Sequence, residues 1–554
     1  MELNIVEKKS DVLIVGGGAA GLFAAIRLSE LAPRIKILIV DKADIRRSGC
    51  LAAGVNALNA YIGEGHTPQD YVEYAINDAH GIARRDLLST MASRLNHVTE
   101  AIEKLGLVIE KDADGNYVTR GWRNVKINGE NIKPLLAAAV NRLPNVQVIN
   151  HVNVANFLLD GETVVGAYGF DTRAEIFYNF TAKLTLIATG GASGIYLPNH
   201  AGGSRHQIWY SPFNTGAGYA AGIRAGAEMT TFEMRFVALR CKDTIAPTGT
   251  LAQGVGAAQI NSRGELYQSN YGNTTSERVF AVTAENLAGR APCFLKTIGI
   301  SEEQERFLFD AYLNMSPAQT LRWIETGQPP SKFNVEIEGT EPYIVGGHTA
   351  AGYWIDAARR TTLKNLFAAG DVSGGCPQKY VTGAFAEAEI AAENIAESID
   401  DVKMPARIDF DARGLKHFFE NDSAFSINEL EIAMQTAMDE CAGGISRQYR
   451  YNERQLQTAR THIDRIEKLS DALRAESMYD LLKIFELRER LTVAKVLIEH
   501  LRARRETRWH GFAKHSDYPN RNPKFDCFVN SRTRDGKIEI IFRELGGNLI
   551  ETNS

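Results

Sequence analysis

Residues Asp11–Gly21, DVLIVGGGAAG, followed by Ile35–Asp41, IKILIVD, decide the architecture of this chain. Val12–Val15 is a short apolar run that reads as a buried strand. Gly16-x-Gly18-x-x-Gly21 reads as a tight turn, and Leu22–Leu28 as the helix that continues from it. A second apolar strand then ends on an acid, Asp41. Glycine carries no Cβ, so backbone N–H groups along Gly16, Gly18, Ala19, Ala20 and Gly21 can approach a pyrophosphate. The helix N-terminus stabilises that charge, and Asp41 is placed for ribose hydroxyls. Strand, turn, helix, strand and acid in this order predict a dinucleotide-binding unit.

Working outward, the 554 residues allow several domains, and a hydrophobic share of 44% with a net charge of −5 describes an ordinary globular protein. That balance gives no basic field for nucleic acid. The first strand begins too close to Met1 to leave room for a secretion signal, and the apolar runs are too short to cross a bilayer. The six cysteines (50, 241, 293, 376, 441 and 527) form no CxxC pair. This argues against an iron–sulfur or zinc site and against a disulfide framework, so a cytoplasmic location and no metal site are expected.

Two further strand ends repeat the opening pattern. Lys183–Ala192, KLTLIATGGA, runs into Ala188, Thr189 and Gly190, and Asn365–Gly375, NLFAAGDVSGG, into Gly370 and Asp371. A nicotinamide dehydrogenase needs only the first such end, whereas one FAD threaded through a discontinuous domain uses all three. FAD is therefore the expected cofactor. The loop Lys42–Tyr61 is rich in small residues and can lie along it, with Lys42, Ser48, Gly49 and Gly54 in close approach. Strands at 146–150, 152–158, 163–170 and 175–180 place Val154 near the adenine. A helix near Gly383, Ala384 and Phe385 is expected to aim N–H groups at the flavin ring.

The domain reading follows: an α/β protein with a discontinuous Rossmann-like FAD domain (1–236 and 346–405), an inserted α+β capping domain (237–345), a helical domain (406–505) and an irregular end (506–554) with short strands at 537–543. Amphipathic scaffold helices are expected over 67–106. The run Arg502–Glu506, RARRE, reads as a solvated helix face.

Several segments in order carry a resemblance: RSGCLAAGVNALNAYIG, INGENIKP, IWYSPFNTGAGYAAGIRAGAEMT, RFVALRCKDTIAPTG, TEPYIVGGHTAAGYW and RWHGFAKHSDYP. The chain resembles the flavoprotein subunits of succinate dehydrogenase, fumarate reductase, L-aspartate oxidase and adenylylsulfate (APS) reductase. Within that group it is most similar to the APS reductase alpha subunits. Fumarate reductases carry HPTG where this chain has Ala246-Pro247-Thr248-Gly249, and the stretch 276–290 lacks their Arg-Asp pair. Arg46-Arg47-Ser48-Gly49 replaces the histidine tether of many relatives, which implies non-covalent FAD.

What the resemblance implies is reduction of APS to sulfite and AMP through a flavin N5–sulfite adduct. It matches Arg240 to the family's substrate arginine, His348 to its active-site histidine, and Asn59 and Glu130 to residues near the substrate. Trp209 matches a tryptophan between flavin and electron donor. Gln253 and Tyr380 stand where the family has apolar or aromatic residues. A ferredoxin-like iron–sulfur subunit is the implied partner. A fumarate- or aspartate-type oxidoreductase and a flavin electron-carrier module stay open as alternatives.

Overall fold

The computed structural model describes residues 4–53, 55, 57–127, 131–199, 208–244, 246–410 and 413–549. A seven-stranded mixed sheet runs in the order Val146–Ile149, Ile37–Val40, Asn4–Val15, Ile176–Ile187, Thr163–Asp171 and Val152–Asp160. Leu366–Ala368 also pairs with Ile176–Ile187. Asn4–Val15 and Ile37–Val40 are parallel neighbours joined through the helix Ala19–Leu31, which is the unit expected from the opening motif. All four residues of ILIV are buried, as the strands of a parallel sheet covered on both faces must be. The helix Ala19–Leu31 is covered by the helix Tyr380–Ser398, with Phe23 and Phe385 ring centroids 5.1 Å apart.

Strand register places the ligand crevice. Val15 pairs with both Val40 and Ile187, and Ile187 pairs with Ala368. Four parallel strands therefore stop at one level, and the chain leaves the sheet there through Gly16, Asp41, Ala188 and Ala369. Ligands of open α/β sheets bind beyond the carboxyl ends of such strands. The strand expected over 175–180 and the one ending at Ala188 are a single element, Ile176–Ile187, because no glycine or proline interrupts it.

A four-stranded antiparallel sheet of Leu239–Cys241, Val335–Gly339, Cys293–Leu295 and Gln259–Ile260 has its own core of Leu251, Val282, Tyr312, Trp323 and Ile337. It closes over the carboxyl ends of the larger sheet.

Helices Arg413–Glu420, Ile427–Cys441, Glu453–Ser470 and Met478–Ala503 follow. After them, Cys527–Arg534 and Lys537–Glu544 form a regular hairpin: its second strand is the one expected over 537–543, and Cys527–Arg534 is a partner strand where irregular chain was expected. That hairpin pairs with Met229–Thr230 and packs on the helix Met478–Ala503. The expected solvated face of RARRE is consequently wrong at Arg504. This side chain is buried and donates through Nε to Glu233 at 2.6 Å and through Nη2 to the Cys527 carbonyl at 2.9 Å.

Candidate functional site

The strand ends open into a cavity of about 600 Å³ that continues under the inserted sheet. Its inner wall is built by Gly16, Gly18, Ala19, Ala20, Asp41, Lys42, Ser48 and Gly49 from the first unit, and by Val154, Ala188, Thr189, Gly190, Gly370, Asp371 and Ala384 from the later segments. These are most of the cofactor residues expected from sequence.

The close approaches explain the glycines. Gly16 has φ +103°, and a Cβ there would lie 2.5 Å from the Ala188 carbonyl oxygen. The first-turn amides of the helix Ala19–Leu31 have no intrahelical partner by geometry, and its macrodipole adds positive potential for a pyrophosphate. Asp41 accepts the Gly17 N–H at 2.7 Å and the Ala43 N–H at 2.7 Å, which fixes its carboxylate at the strand end for ribose hydroxyls. Asn153, beside Val154, is buried on the wall with its Nδ2 unpartnered among the described residues; sequence reasoning missed it.

Three expected cofactor residues have another job. Gly21 does not face the cavity: a Cβ there would lie 1.9 Å from the Gly16 carbonyl oxygen, so it lets the helix close on its own strand. Gly383 packs against Lys379 and Met91, and Phe385 packs on Phe23 in the core. The helix instead turns Tyr380, Val381 and Ala384 toward the cavity, one face at helical spacing. Gly54 and Glu130 lie outside the described residues.

The turn that presents Asp371 is held from below. Lys379, fully buried, donates to the carbonyls of Gly370 (3.0 Å) and Ser373 (2.9 Å) and to Glu387 (3.0 Å), while Glu387 accepts the Gly370 N–H at 3.0 Å. Gln378 and Tyr380 on either side adopt φ of +61° and +49°, a backbone that sends Lys379 inward and Tyr380 into the cavity. The Tyr210 hydroxyl donates to Asp371 at 2.8 Å, and burial raises the Asp371 carboxyl above its usual range. Gly346 and Gly347 pack directly on this turn; a Cβ on Gly347 would lie 2.0 Å from Asp371 Oδ1. The next residue, His348, is thereby delivered to the cavity wall.

His348 is enclosed by Phe236, Tyr380 and Trp209, with ring centroids 4.3, 4.9 and 5.1 Å away. Burial lowers its pKa to about 3, so it is neutral near pH 7 and serves as a hydrogen-bonding group rather than a cation. Its Nδ1 has no partner among the described residues. Trp209 is half-buried and held by its backbone N–H on the Tyr343 hydroxyl at 3.0 Å. Asn59 pairs across two short strands with Asn124, and both line the cavity.

Arg240 is the main discrepancy. Leu239 faces the cavity, and strand alternation turns Arg240 away from it. Arg240 donates to Glu338 at 2.9 Å and to the Thr244 carbonyl at 3.2 Å, 1% exposed within the inserted sheet. Among the described residues, the arginines that line the cavity are Arg120, Arg123 and Arg278. None forms an ion pair with a carboxylate among the described residues. Arg123 lies over the Tyr74 ring at 3.9 Å and donates to its hydroxyl at 2.9 Å; Arg278 is 3.5 Å from Thr275 Oγ1. Arg120 has a buried Nε without a partner among the described residues. Arg120 and Arg123 stand in TRGWRN, beside the quoted INGENIKP segment, but nothing local marked them out. Gln253 and Tyr380 also line the cavity, whereas Ala246 is buried in the core of the inserted sheet.

Comparison with known proteins agrees with the shape of this cradle. The sequence profile of the FAD binding domain family matches residues 11–384. The adenylylsulfate reductase subunit alpha of Megalodesulfovibrio gigas is 29% identical over 99% of this chain and 97% of its own. The structure of adenylylsulfate reductase from Archaeoglobus fulgidus superposes with a TM-score of 0.92 at 30% identity, covering 98% of this chain and 96% of that one. A structure of adenosine-5-phosphosulfate reductase in complex with sulfite, described as a covalent adduct, gives 0.91 at 30% identity, with 98% and 96% covered.

Proposed function

The chain belongs to the FAD-binding flavoprotein family that includes adenylylsulfate reductase, and from that membership we propose that it reduces adenylyl sulfate to sulfite and AMP. Bound FAD supplies two electrons to the sulfur, which passes from the sulfate to the sulfite oxidation level as its bond to the phosphate oxygen breaks. The chain's residues must bind two adjacent oxyanions, exclude water and stabilise charge growing on the leaving phosphate oxygen.

The observation that carries this reading is the set of three arginines, without carboxylate partners among the described residues, in the cavity that also holds the dinucleotide cradle. Guanidinium groups match tetrahedral oxyanions and stay charged at every working pH. We assign substrate anion binding to Arg123 and Arg278, with Arg120 beside them, and not to Arg240. Neutral His348 supplies a hydrogen bond without adding charge, and Asn59 another. Trp209, Phe236 and Tyr380 keep the reacting end dry. Electrons arrive from a separate ferredoxin-like iron–sulfur subunit docked on the Trp209 side, a reading supported by the alpha-subunit designation of the relative. No helix among the described residues is long and apolar enough to cross a membrane.

The test is a sulfite titration of the FAD-loaded protein. Sulfite bleaches the oxidised flavin band; added AMP then yields APS and leaves the flavin two-electron reduced, so the oxidised band returns only when an electron acceptor such as ferricyanide is supplied. Arg123→Gln and Arg278→Gln each raise the KM for APS by roughly 10- to 150-fold, the loss of one charge-assisted hydrogen bond, with the flavin spectrum unchanged. Turnover of fumarate with none of APS overturns the proposal.

A further inference from the structure

Lys133 is a lysine in an otherwise apolar helix, Ile132–Val140 (IKPLLAAAV), and it is 1% exposed. Its ammonium donates to the Gly17 carbonyl oxygen and lies 3.5 Å from Ser48 Oγ. Ser48 in turn donates weakly to the same Gly17 carbonyl at 3.3 Å and to Asp41 Oδ2 at 3.2 Å, and Asp41 accepts the Gly17 N–H at 2.7 Å. Two distant segments, 41–48 and the helix Ile132–Val140, thus converge on one residue of the glycine turn, and every polar group of Gly17 is occupied on the side away from the cavity. A buried ammonium needs compensating charge. Among the described residues the carboxylates that face it are Asp41 and Asp44, and Asp41 is already engaged by two backbone amides and Ser48. Positive charge is therefore in place beneath a turn whose other side is open to the cavity.

We propose that Lys133 is a positioning residue for the FAD diphosphate: held on the Gly17 carbonyl, it fixes and polarises the Gly17–Gly18 peptide, so that the Gly18 N–H and the helix N-terminus behind it meet the diphosphate with added positive potential. A cation on a peptide oxygen strengthens the N–H of the same peptide as a donor, and hydrogen bonds in such chains polarise one another. Lys133 acts through Gly17 and does not itself touch the cavity.

Burial lowers the Lys133 ammonium to about 8, while Asp41 and then Asp44 act in the opposite direction. A diphosphate raises it again, so FAD binding takes up a proton above that pH and weakens as pH rises. The experiment measures FAD dissociation constants of the full chain by flavin fluorescence between pH 7 and 9.5, with ADP as a competing probe of the diphosphate half. The wild type loses affinity above pH 8, up to roughly tenfold per unit. Lys133→Met binds FAD and ADP about 10- to 100-fold more weakly at pH 7 and has a flat profile. A Lys133→Met protein with wild-type affinity overturns the proposal, as does weakened affinity with an unchanged pH slope, which marks a purely structural lysine. Should that variant not fold, a flat wild-type profile overturns it equally.

Discussion

Lys379→Met is the sharpest test of how the Asp371 turn is held. Lys379 and Glu387 are both 0% exposed and 3.0 Å apart, and Lys379 also satisfies the carbonyls of Gly370 and Ser373. Methionine fills the space but leaves the Ser373 carbonyl without its lysine donor, the Gly370 carbonyl with only the Ser373 N–H and hydroxyl, and Glu387 with only the Gly370 N–H, the Ser373 hydroxyl and a distant Arg359. Breaking one side of a buried ion pair costs about 3–5 kcal/mol, a factor of about 10² to 10⁴ in the folded-to-unfolded ratio. Replacing both partners, Lys379→Met with Glu387→Leu, removes the stranded charge and costs less than the two single losses summed. The assay is a double-mutant cycle by urea unfolding of the cofactor-free chain, so that ligand binding does not contribute. A coupling of at least about 2 kcal/mol is expected from contact in one network. Lys379→Met at wild-type stability, or a double variant whose loss equals the sum of the singles, refutes the reasoning.

Two other consequences can be measured directly. His348 stays neutral in the fold down to about pH 3, whereas the unfolded chain protonates it near 6.5. Its contribution is therefore full above pH 6.5 and is lost as pH falls toward 3, with about 2 kcal/mol gone by pH 5. His348→Phe flattens the stability profile between pH 5 and 7, and matching slopes contradict the shift. Gly347→Ala forces a methyl group 2.0 Å from Asp371 Oδ1 in the wild-type geometry. It lowers the FAD-to-protein ratio and destabilises the chain by about 1–3 kcal/mol, as overpacking does; full FAD retention rules out the tight approach as a constraint.

The cradle was legible because strand ends and glycine turns are local signals. Val12–Val15, Ile37–Val40 and the ATGG and AGD ends each declare themselves within ten residues, and register does the rest. The catalytic end was less legible because side-chain direction decides it. Leu239 and Arg240 differ by one position in a strand, yet only the leucine faces the cavity. Phe385 and Ala384 differ by one position in a helix, with the same outcome. Gly21 and Gly383 look identical in sequence to ligand-facing glycines, but the groups they accommodate are a carbonyl and a lysine side chain. Arg120, Arg123 and Arg278 come from segments more than 150 residues apart in the extreme case, and Lys133 meets Gly17 across 116. Only the folded chain shows such meetings.

The four strands that stop at one level have a temporal meaning as well. Ala368 completes a row begun at Val15, so no ribosome-bound intermediate shorter than this stretch possesses the whole crevice. Captured FAD then links the free energies of the first and last strands of the row, stabilising the complete fold by RT ln(1 + [FAD]/Kd) and an incomplete one by nothing. Flavin fluorescence quenching on a growing chain thus reports a finished topology, and a cell short of FAD would lose this protein through its unfolded fraction before losing any turnover per molecule.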